Sequence, residues 1–213
     1  MTHSAFFLLF LCAAPVAPTK TSPSAKLQQS IQQSLQPFGN VKTLVATVDQ
    51  EKTISLLEEP VHTVGQLLFQ RPNKLRMDFQ GPNGTTLLID GATMTMHYKA
   101  LKKTETYSLA GNVRSQAMAE HLFLRLNPDT KRLSAIYELT IQKRDPLVLV
   151  LTPKAPALRK HIASIRVKIN PKGYVSLLEL NEANNDTTKW TFTKTVLNST
   201  IQSSLFESPS LTP

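Results

Sequence analysis

The sequence predicts a mainly β domain with helices, an α+β fold in which about ten strands form one antiparallel sheet. Three observations lead to this prediction. Apolar and polar residues alternate along most of the chain beyond residue 41, which is the period of a strand with one buried face. Proline, glycine and asparagine separate the alternating runs. Two further segments carry apolar residues at helical spacing, and a length of 213 residues suits one domain.

The first 25 residues are interpreted as an export signal followed by a spacer. Residues 1 to 17 contain an apolar stretch that is too short to cross a bilayer, which favours a cleaved secretory signal. Cleavage after Ala14, after Ala17 or near Ala25 stays open. A Pro, Ser and Thr-rich spacer follows, so the folded domain is expected to comprise residues 26–213.

Cys12 is the single cysteine of the chain and lies inside the predicted signal. The mature protein would therefore contain neither a disulfide nor a thiol nucleophile. Leu11 precedes Cys12, whereas bacterial lipoprotein signals carry a small residue at that position. Lipidation of the cysteine is therefore not expected.

Two segments are predicted to be helical. In the first, apolar residues recur every four positions among Gln and Ser, and Pro37 and Gly39 end the helix. In the second, between residues 112 and 127, one face is apolar and Pro128 ends the helix. Helices that are apolar on one side are expected to cover the sheet. The residues of these faces are Leu27, Ile31 and Leu35 in the first segment and Met118, Leu122, Phe123 and Leu126 in the second.

The first half of the sheet is predicted from five runs of alternating residues joined by short turns. The runs span residues 41–57, 61–70, 74–80, 85–90 and 93–99. An Arg71-Pro72-Asn73 turn separates the second run from the third, so these two strands form a hairpin. This half is therefore expected to be an antiparallel meander.

The second half of the sheet follows the second predicted helix. Its five runs span residues 134–142, 146–154, 162–170, 174–182 and 187–198. The remaining stretch, STIQSSLF, is expected to return the chain toward the body of the domain. A sheet of this size normally curls to reduce its exposed edges.

Sequence motifs of catalysis are missing. The chain has no G-x-S-x-G turn, no H-E-x-x-H helix and no glycine-rich phosphate loop. The five histidines stand singly, without the spacing of metal ligands. We therefore expect a binding protein that is not an enzyme and has no metal or cofactor.

The charge balance leaves the partner open. Lys and Arg number 24 against 15 Asp and Glu, a net charge of +9. The basic residues are scattered, and no basic run is interleaved with aromatic residues as nucleic-acid binding would require. Nucleic acid is therefore not an expected partner, and the basic surface is interpreted as solvated.

One face of the predicted strands is rich in methionine and aromatic residues, which suit an apolar ligand. Methionine is unbranched and polarisable, so it adapts to acyl chains of variable shape. The alternative is that the same residues form an ordinary core. The candidate cavity residues are Leu75, Met77, Phe79, Leu87, Ile89, Met94, Met96 and Tyr98.

Several stretches, taken in order, resemble the LolA family. They are LLFQRPNKLRMDF, LLIDGATMTMHYK, LVLVLTPKA, IASIRVKINPKGYVSLLELNEANNDTTKWTF and NSTIQSSLFES. The resemblance covers nearly all of residues 26 to 207 and implies an unclosed antiparallel β-barrel, or half-barrel. It also implies a concave apolar face beneath a lid made of the N-terminal and middle helices. In the family the arginine of the R-P-N turn binds lid backbone, so Arg71 is implied to be a lid latch.

The resemblance implies a monomeric periplasmic carrier of lipoproteins. Such a carrier receives acyl chains from an inner-membrane LolCDE-type releasing complex and delivers them to an outer-membrane LolB-type acceptor. Three alternatives remain: a carrier of another lipid or a polyene product, a LolB-like acceptor, and an RseB-like lipoprotein sensor. The acceptor would need a lipidated cysteine, and the sensor normally has a second domain.

Overall fold

The computed structural model describes residues 29–34, 36–109 and 130–207. Within these ranges one antiparallel sheet of 11 strands dominates the fold, in the order β6-β5-β4-β3-β2-β1-β11-β10-β9-β8-β7. Its edges, β6 and β7, do not pair with each other, so the sheet is an unclosed half-barrel, which confirms the predicted fold class. The strands are β1 (Thr43–Thr53), β2 (Val61–Gln70), β3 (Lys74–Phe79), β4 (Thr85–Asp90), β5 (Thr93–Tyr98), β6 (Lys103–Ser108), β7 (Tyr137–Arg144), β8 (Leu147–Pro153), β9 (Ile162–Ile169), β10 (Val175–Glu182) and β11 (Thr187–Leu197).

Helical segments are short in the described part of the chain. They are α1 (residues 29–34), a 3-10 helix at Gln36–Asn40, α2 (Thr130–Ile136), α3 (Pro156–Arg159) and a 3-10 helix at Ser203–Phe206. Of the residues predicted to face the sheet from helices, Ile31 is described and fully buried. The other six lie outside the described residues, as does the predicted export signal. Among the described residues, no helix has the length and hydropathy needed to cross a bilayer.

The structure corrects three element predictions. Strand β6 was missed because KTETYS alternates without an apolar face, which an edge strand does not need. Residues 134–136 are helical and not extended, because Ile136 lies three residues after the buried Leu133 and packs on the same cluster. The first strand is also shorter than predicted, since it ends at Thr53.

The hairpin at Arg71-Pro72-Asn73 forms as predicted. Strands β2 and β3 pair in a register that places Leu67 opposite Met77 and Phe69 opposite Leu75. Residues that lie opposite each other in a sheet point to the same side, so these four side chains share one face. All four are buried. The same face continues into β4, where Leu75 lies opposite Ile89. The hairpin therefore sets which residues face the interior of the half-barrel.

The C-terminal segment returns to the body of the domain, as the sequence predicted, and packs on the convex face of the sheet. Phe206 is 1% exposed and lies between Leu68 and Leu88. The guanidinium of Arg76 donates a hydrogen bond to the Leu205 carbonyl at 2.9 Å, and the Lys74 ammonium lies 5.8 Å from the centre of the Phe206 ring. This segment therefore ties the end of the chain to strands β2 to β4.

An ionic network surrounds Asp78 on the same convex face. Its carboxylate accepts hydrogen bonds from Lys99 at 2.8 Å, Arg76 at 3.1 Å and Thr86 at 3.1 Å. Burial acts to raise the pKa of Asp78, but these three hydrogen bonds and the positive charge of Lys99 outweigh it. The pKa of Asp78 therefore lies below its ordinary value.

Candidate functional site

The concave face of the half-barrel is a continuous apolar surface. Every second residue of each central strand points to it, and the buried residues form two clusters. The first cluster comprises residues of strands β1 to β5 with Val41, and the second comprises residues of strands β7 to β10 with Ile31 and Leu133. Trp190 and Phe192 of β11 pack against both clusters and are half-buried. The two clusters therefore form one surface with an aromatic junction in the middle.

The structure brings most of the predicted cavity residues together. Six of the eight are buried members of the first cluster: Leu75, Met77, Phe79, Leu87, Ile89 and Met94. Met96 is half-buried and packs against that cluster. Tyr98 lies further along β5, also half-buried, with its hydroxyl 3.8 Å from the sulfur of Met96. The predicted residues therefore form part of the floor of the concave face and one of its margins.

A glycine makes room for one of these aromatic rings. Gly65 of β2 lies opposite Phe79 of β3. A Cβ atom at residue 65 would lie 2.9 Å from Cδ1 of Phe79 and 2.6 Å from the Asp78 carbonyl oxygen, closer than side chains tolerate. The glycine thus lets the Phe79 ring lie against β2.

Sequence reasoning missed the second half of the site. The concave residues of strands β7 to β10 are as buried as those of the first half. They are Tyr137, Leu139, Leu147, Leu149, Leu151, Ile165, Val167, Ile169, Val175 and Leu178. The alternation in LVLVL and IASIRVKI carries the signal that would have identified them. The predicted cavity comprised only the methionine-rich strands, although methionine is not required for an apolar wall.

One predicted lid residue packs on this second half. Ile31 of α1 is fully buried and belongs to the same cluster as Leu133 of α2. Two helical segments from distant parts of the chain therefore cover the concave face above strands β7 to β10.

The β6 edge of the concave face is polar. Lys103, Glu105 and Tyr107 lie opposite Tyr98, Met96 and Met94, and so point to the concave side. The Lys103 ammonium lies 2.6 Å from the Glu105 carboxylate, which also accepts a hydrogen bond from the Tyr107 hydroxyl. These hydrogen bonds lower the pKa of Glu105, that from Lys103 most. The apolar floor therefore ends at an ionised rim.

Arg71 connects the hairpin turn to the segment that leads from the helices into β1. Its Nε donates a hydrogen bond to the Val41 carbonyl at 2.6 Å, and its backbone N–H donates to the Lys42 carbonyl at 2.9 Å. The guanidinium also lies 5.9 Å from the centre of the Phe69 ring. Burial lowers the pKa of Arg71. The residue thus contacts backbone directly after the 3-10 helix Gln36–Asn40.

The arrangement offers an apolar surface suited to a hydrophobic molecule. Among the described residues, no group of three or more His, Cys, Asp or Glu side chains is placed to hold a metal ion. Within the part of the chain that the structure describes, polar groups near the concave face include the β6 edge, Arg71, and Gln50 and Thr188, which lie opposite Trp190 and Leu180.

The structure thus defines a half-barrel of one antiparallel sheet, with an apolar concave face partly covered by helices. The chain belongs to the LolA family. The family described as "Outer membrane lipoprotein carrier protein LolA" matches residues 39–209. The match confirms the resemblance noted in the sequence.

Several solved structures are similar to this chain at low sequence identity. A DUF1329 family protein from Desulfovibrio piger is 9% identical with a TM-score of 0.53, and the match covers 90% of this chain and 100% of that chain. The MucA/MucB complex from Pseudomonas aeruginosa is 12% identical with a TM-score of 0.50, covering 87% of this chain and 62% of that chain. A LolA superfamily protein from Nitrosomonas europaea is 10% identical with a TM-score of 0.45, covering 85% of this chain and 97% of that chain. No curated protein sequence matches this chain.

Proposed function

We propose that the protein is a periplasmic carrier that binds lipoprotein acyl chains on its concave face and moves lipoproteins from the inner to the outer membrane. The observation that carries the proposal is the continuous apolar surface formed by the two clusters and joined at Trp190 and Phe192. Membership of the LolA family supports the same function.

A continuous apolar surface would shield acyl chains from water. Each methylene removed from water contributes about 0.8 kcal/mol, so a molecule with several long acyl chains cannot cross an aqueous space unprotected. Half-buried residues of the floor, such as Met96, Trp190 and Phe192, still have apolar surface to give to a ligand. A bound acyl chain would complete their burial.

The polar rim fits a cargo with two chemical parts. A lipoprotein joins apolar chains to a polypeptide, so its carrier must bury the first and leave the second in water. The Lys103, Glu105 and Tyr107 edge gives the apolar floor a hydrated boundary beside Met96. Acyl chains would lie on the floor while the polypeptide leaves over this edge.

Arg71 acts as the latch of the helical cover in this proposal. Its hydrogen bond to the Val41 carbonyl holds the chain immediately after the 3-10 helix that follows α1. A guanidinium keeps its charge and directs several donors in a fixed plane, so it can hold backbone carbonyls where the helices meet the sheet. Opening of the cover to admit cargo would break this contact.

Replacement of Arg71 by leucine should trap cargo on the protein. The closed state loses a hydrogen bond from a charged donor, worth about 1.5 to 3 kcal/mol, while the open loaded state loses little. The loaded form should gain about tenfold to a hundredfold in population. Arg71→Lys should be intermediate, because an ammonium cannot reproduce the planar donor set. The measurement is the amount of lipoprotein bound to each purified variant and its transfer to acceptor membranes. Transfer by Arg71→Leu at the wild-type rate would contradict a latch.

The remaining features of the proposal follow from the carrier function. The protein would act as an exported, unlipidated monomer without enzymatic activity, cofactor or nucleic-acid partner. A LolCDE-type complex would load it, and a LolB-type acceptor would unload it. Residues 26–213 would be the single carrier domain and residues 1–25 the export signal and spacer.

The mass of the ligand that co-purifies from the periplasm tests this function. Lipoproteins with their acyl groups are the expected ligands. Recovery of a different lipid or a polyene would instead assign the same site to another cargo. Formation of a stable complex with a membrane regulator, without transfer to acceptor membranes, would support the sensor alternative.

A further inference from the structure

Four basic residues gather at the ends of two neighbouring hairpins. Lys143 and Arg144 end β7, Lys168 lies near the end of β9, and Lys172 lies in the turn that follows β9. We name these four residues the basic patch. The outermost two, Lys143 and Lys172, are 29 positions apart in the sequence (172 − 143 = 29). Antiparallel pairing of the strands brings the patch residues together.

Pairing with β8 fixes the geometry of the patch. Val148 lies opposite Lys143 on one side and opposite Lys168 on the other, so all three side chains share the convex face. Strands in a sheet lie about 4.8 Å apart, which places the Cα atoms of the two lysines about 10 Å from each other. Lys172 is exposed at the tip of the next hairpin. Arg144 lies opposite the concave-facing Leu147 and donates a hydrogen bond to the Ser30 hydroxyl at 3.4 Å, so the three lysines are the cations that the patch presents, within the width of a few lipid headgroups.

The patch is not neutralised within the described part of the chain. Several other cations of the sheet pair with carboxylates, as in Arg166 with Glu179 at 2.9 Å and Lys189 with Glu51 at 3.7 Å. No carboxylate of a described residue lies within ion-pair distance of the four patch residues, although Asp145 follows Arg144 directly. The neighbours of Lys168 across the sheet are Val148 and Leu177, which are apolar and half-buried.

We propose that the basic patch docks the protein on a membrane surface rich in anionic phospholipid headgroups. Unpaired lysines attract such a surface, each contributing a few-fold in affinity, and the half-exposed aliphatic side chains between them suit an interface better than bulk water does. The opposite end of the strands carries Glu58, Glu59 and Asp186, which an anionic surface would repel. The β8–β9 loop at that end is basic, but Lys154 and Arg159 there donate hydrogen bonds to the backbone carbonyls of Ser134 and Lys154. The protein would thus approach the membrane with its β7–β8 and β9–β10 turns first. This inference does not depend on the identity of the cargo.

Vesicle binding by a charge-reversed variant tests the proposal. Wild type should bind phosphatidylcholine vesicles that contain about a third phosphatidylglycerol, and should bind pure phosphatidylcholine vesicles far less. The variant Lys143→Glu/Lys168→Glu should lose at least about 25-fold in affinity, at about fivefold for each cation removed. The variant Lys143→Gln/Lys168→Gln should lose about 25-fold in affinity as well. It tests the same contact if the charge-reversed variant fails to fold.

A matched control removes the same charge from the other end of the molecule. Lys102→Glu/Lys160→Glu changes the net charge equally at two exposed lysines, which lie in the β5–β6 turn and just after α3. This control should keep wild-type affinity for the anionic vesicles. Equal losses by the patch and control variants would overturn the proposal, because net charge alone would then explain binding. Wild-type binding that ignores the phosphatidylglycerol content would overturn it as well.

Discussion

Met96→Glu should abolish acyl-chain binding while the protein still folds. Met96 is half-buried on the concave face, so the new carboxylate can reach water in the empty protein. A bound acyl chain would cover it, and a carboxylate buried against hydrocarbon is strongly unfavourable. Glu105 lies directly opposite residue 96 and would add repulsion between like charges. Affinity for a fluorescent fatty acid, measured by titration, should fall at least about a hundredfold.

Three variants separate this effect from loss of the fold. Thr106→Glu places the same charge on the exposed convex face of β6 and should bind fatty acid as wild type does. Met96→Leu keeps an apolar side chain and should retain most of the affinity. Met94→Glu should unfold the protein, because Met94 is 2% exposed and belongs to the core. Wild-type fatty-acid affinity in a folded Met96→Glu protein would show that fatty acid does not bind on the concave face, which would then be an ordinary packed core.

Phe206→Ala should cause a large loss of stability in a protein that still folds. The Phe206 ring is 1% exposed and fills the space between Leu68 and Leu88 on the convex face. Its removal leaves a cavity and exposes both leucines to water, at a cost of about 3 to 5 kcal/mol. The melting temperature of a protein of this size should fall by about 6 to 20 °C.

The neighbouring leucine supplies the control for this prediction. Leu205 is 41% exposed, so Leu205→Ala should change the free energy of unfolding by less than about 1 kcal/mol. Its carbonyl still accepts the hydrogen bond from Arg76, because the substitution leaves the backbone in place. If both variants melted at the wild-type temperature, the C-terminal segment would not stabilise the sheet.

The parts of the fold that local pattern determines could be predicted from the sequence. Alternation along KLRMDF gave both strand β3 and its buried face, because side chains in a strand alternate between two sides. The R-P-N turn gave the position of Arg71 at the bend. The apolar floor near Met77 and Ile89 followed from the same two-residue period.

The parts that depend on distant pairing could not be predicted. Trp190 joins two clusters only because β11 lies between β1 and β10, which no local pattern specifies. Strand β6 is polar on both faces and is held by backbone pairing with β5, so it has no hydrophobic period to detect. Lys143 and Lys168 appear scattered in the sequence and become neighbours through β8.

Site-specific crosslinking tests the central claim, that acyl chains lie on the concave face. A photoreactive benzoylphenylalanine is placed at residue 96 or at residue 106, and the folded protein is irradiated with a triacylated lipopeptide. Residue 96 is half-buried on the concave face, and residue 106 is exposed on the convex face of the neighbouring strand. We predict a crosslinked adduct at residue 96 and none at residue 106. Equal adducts at both positions, or an adduct at residue 106 alone, would contradict the assignment of the acyl-chain site to the concave face.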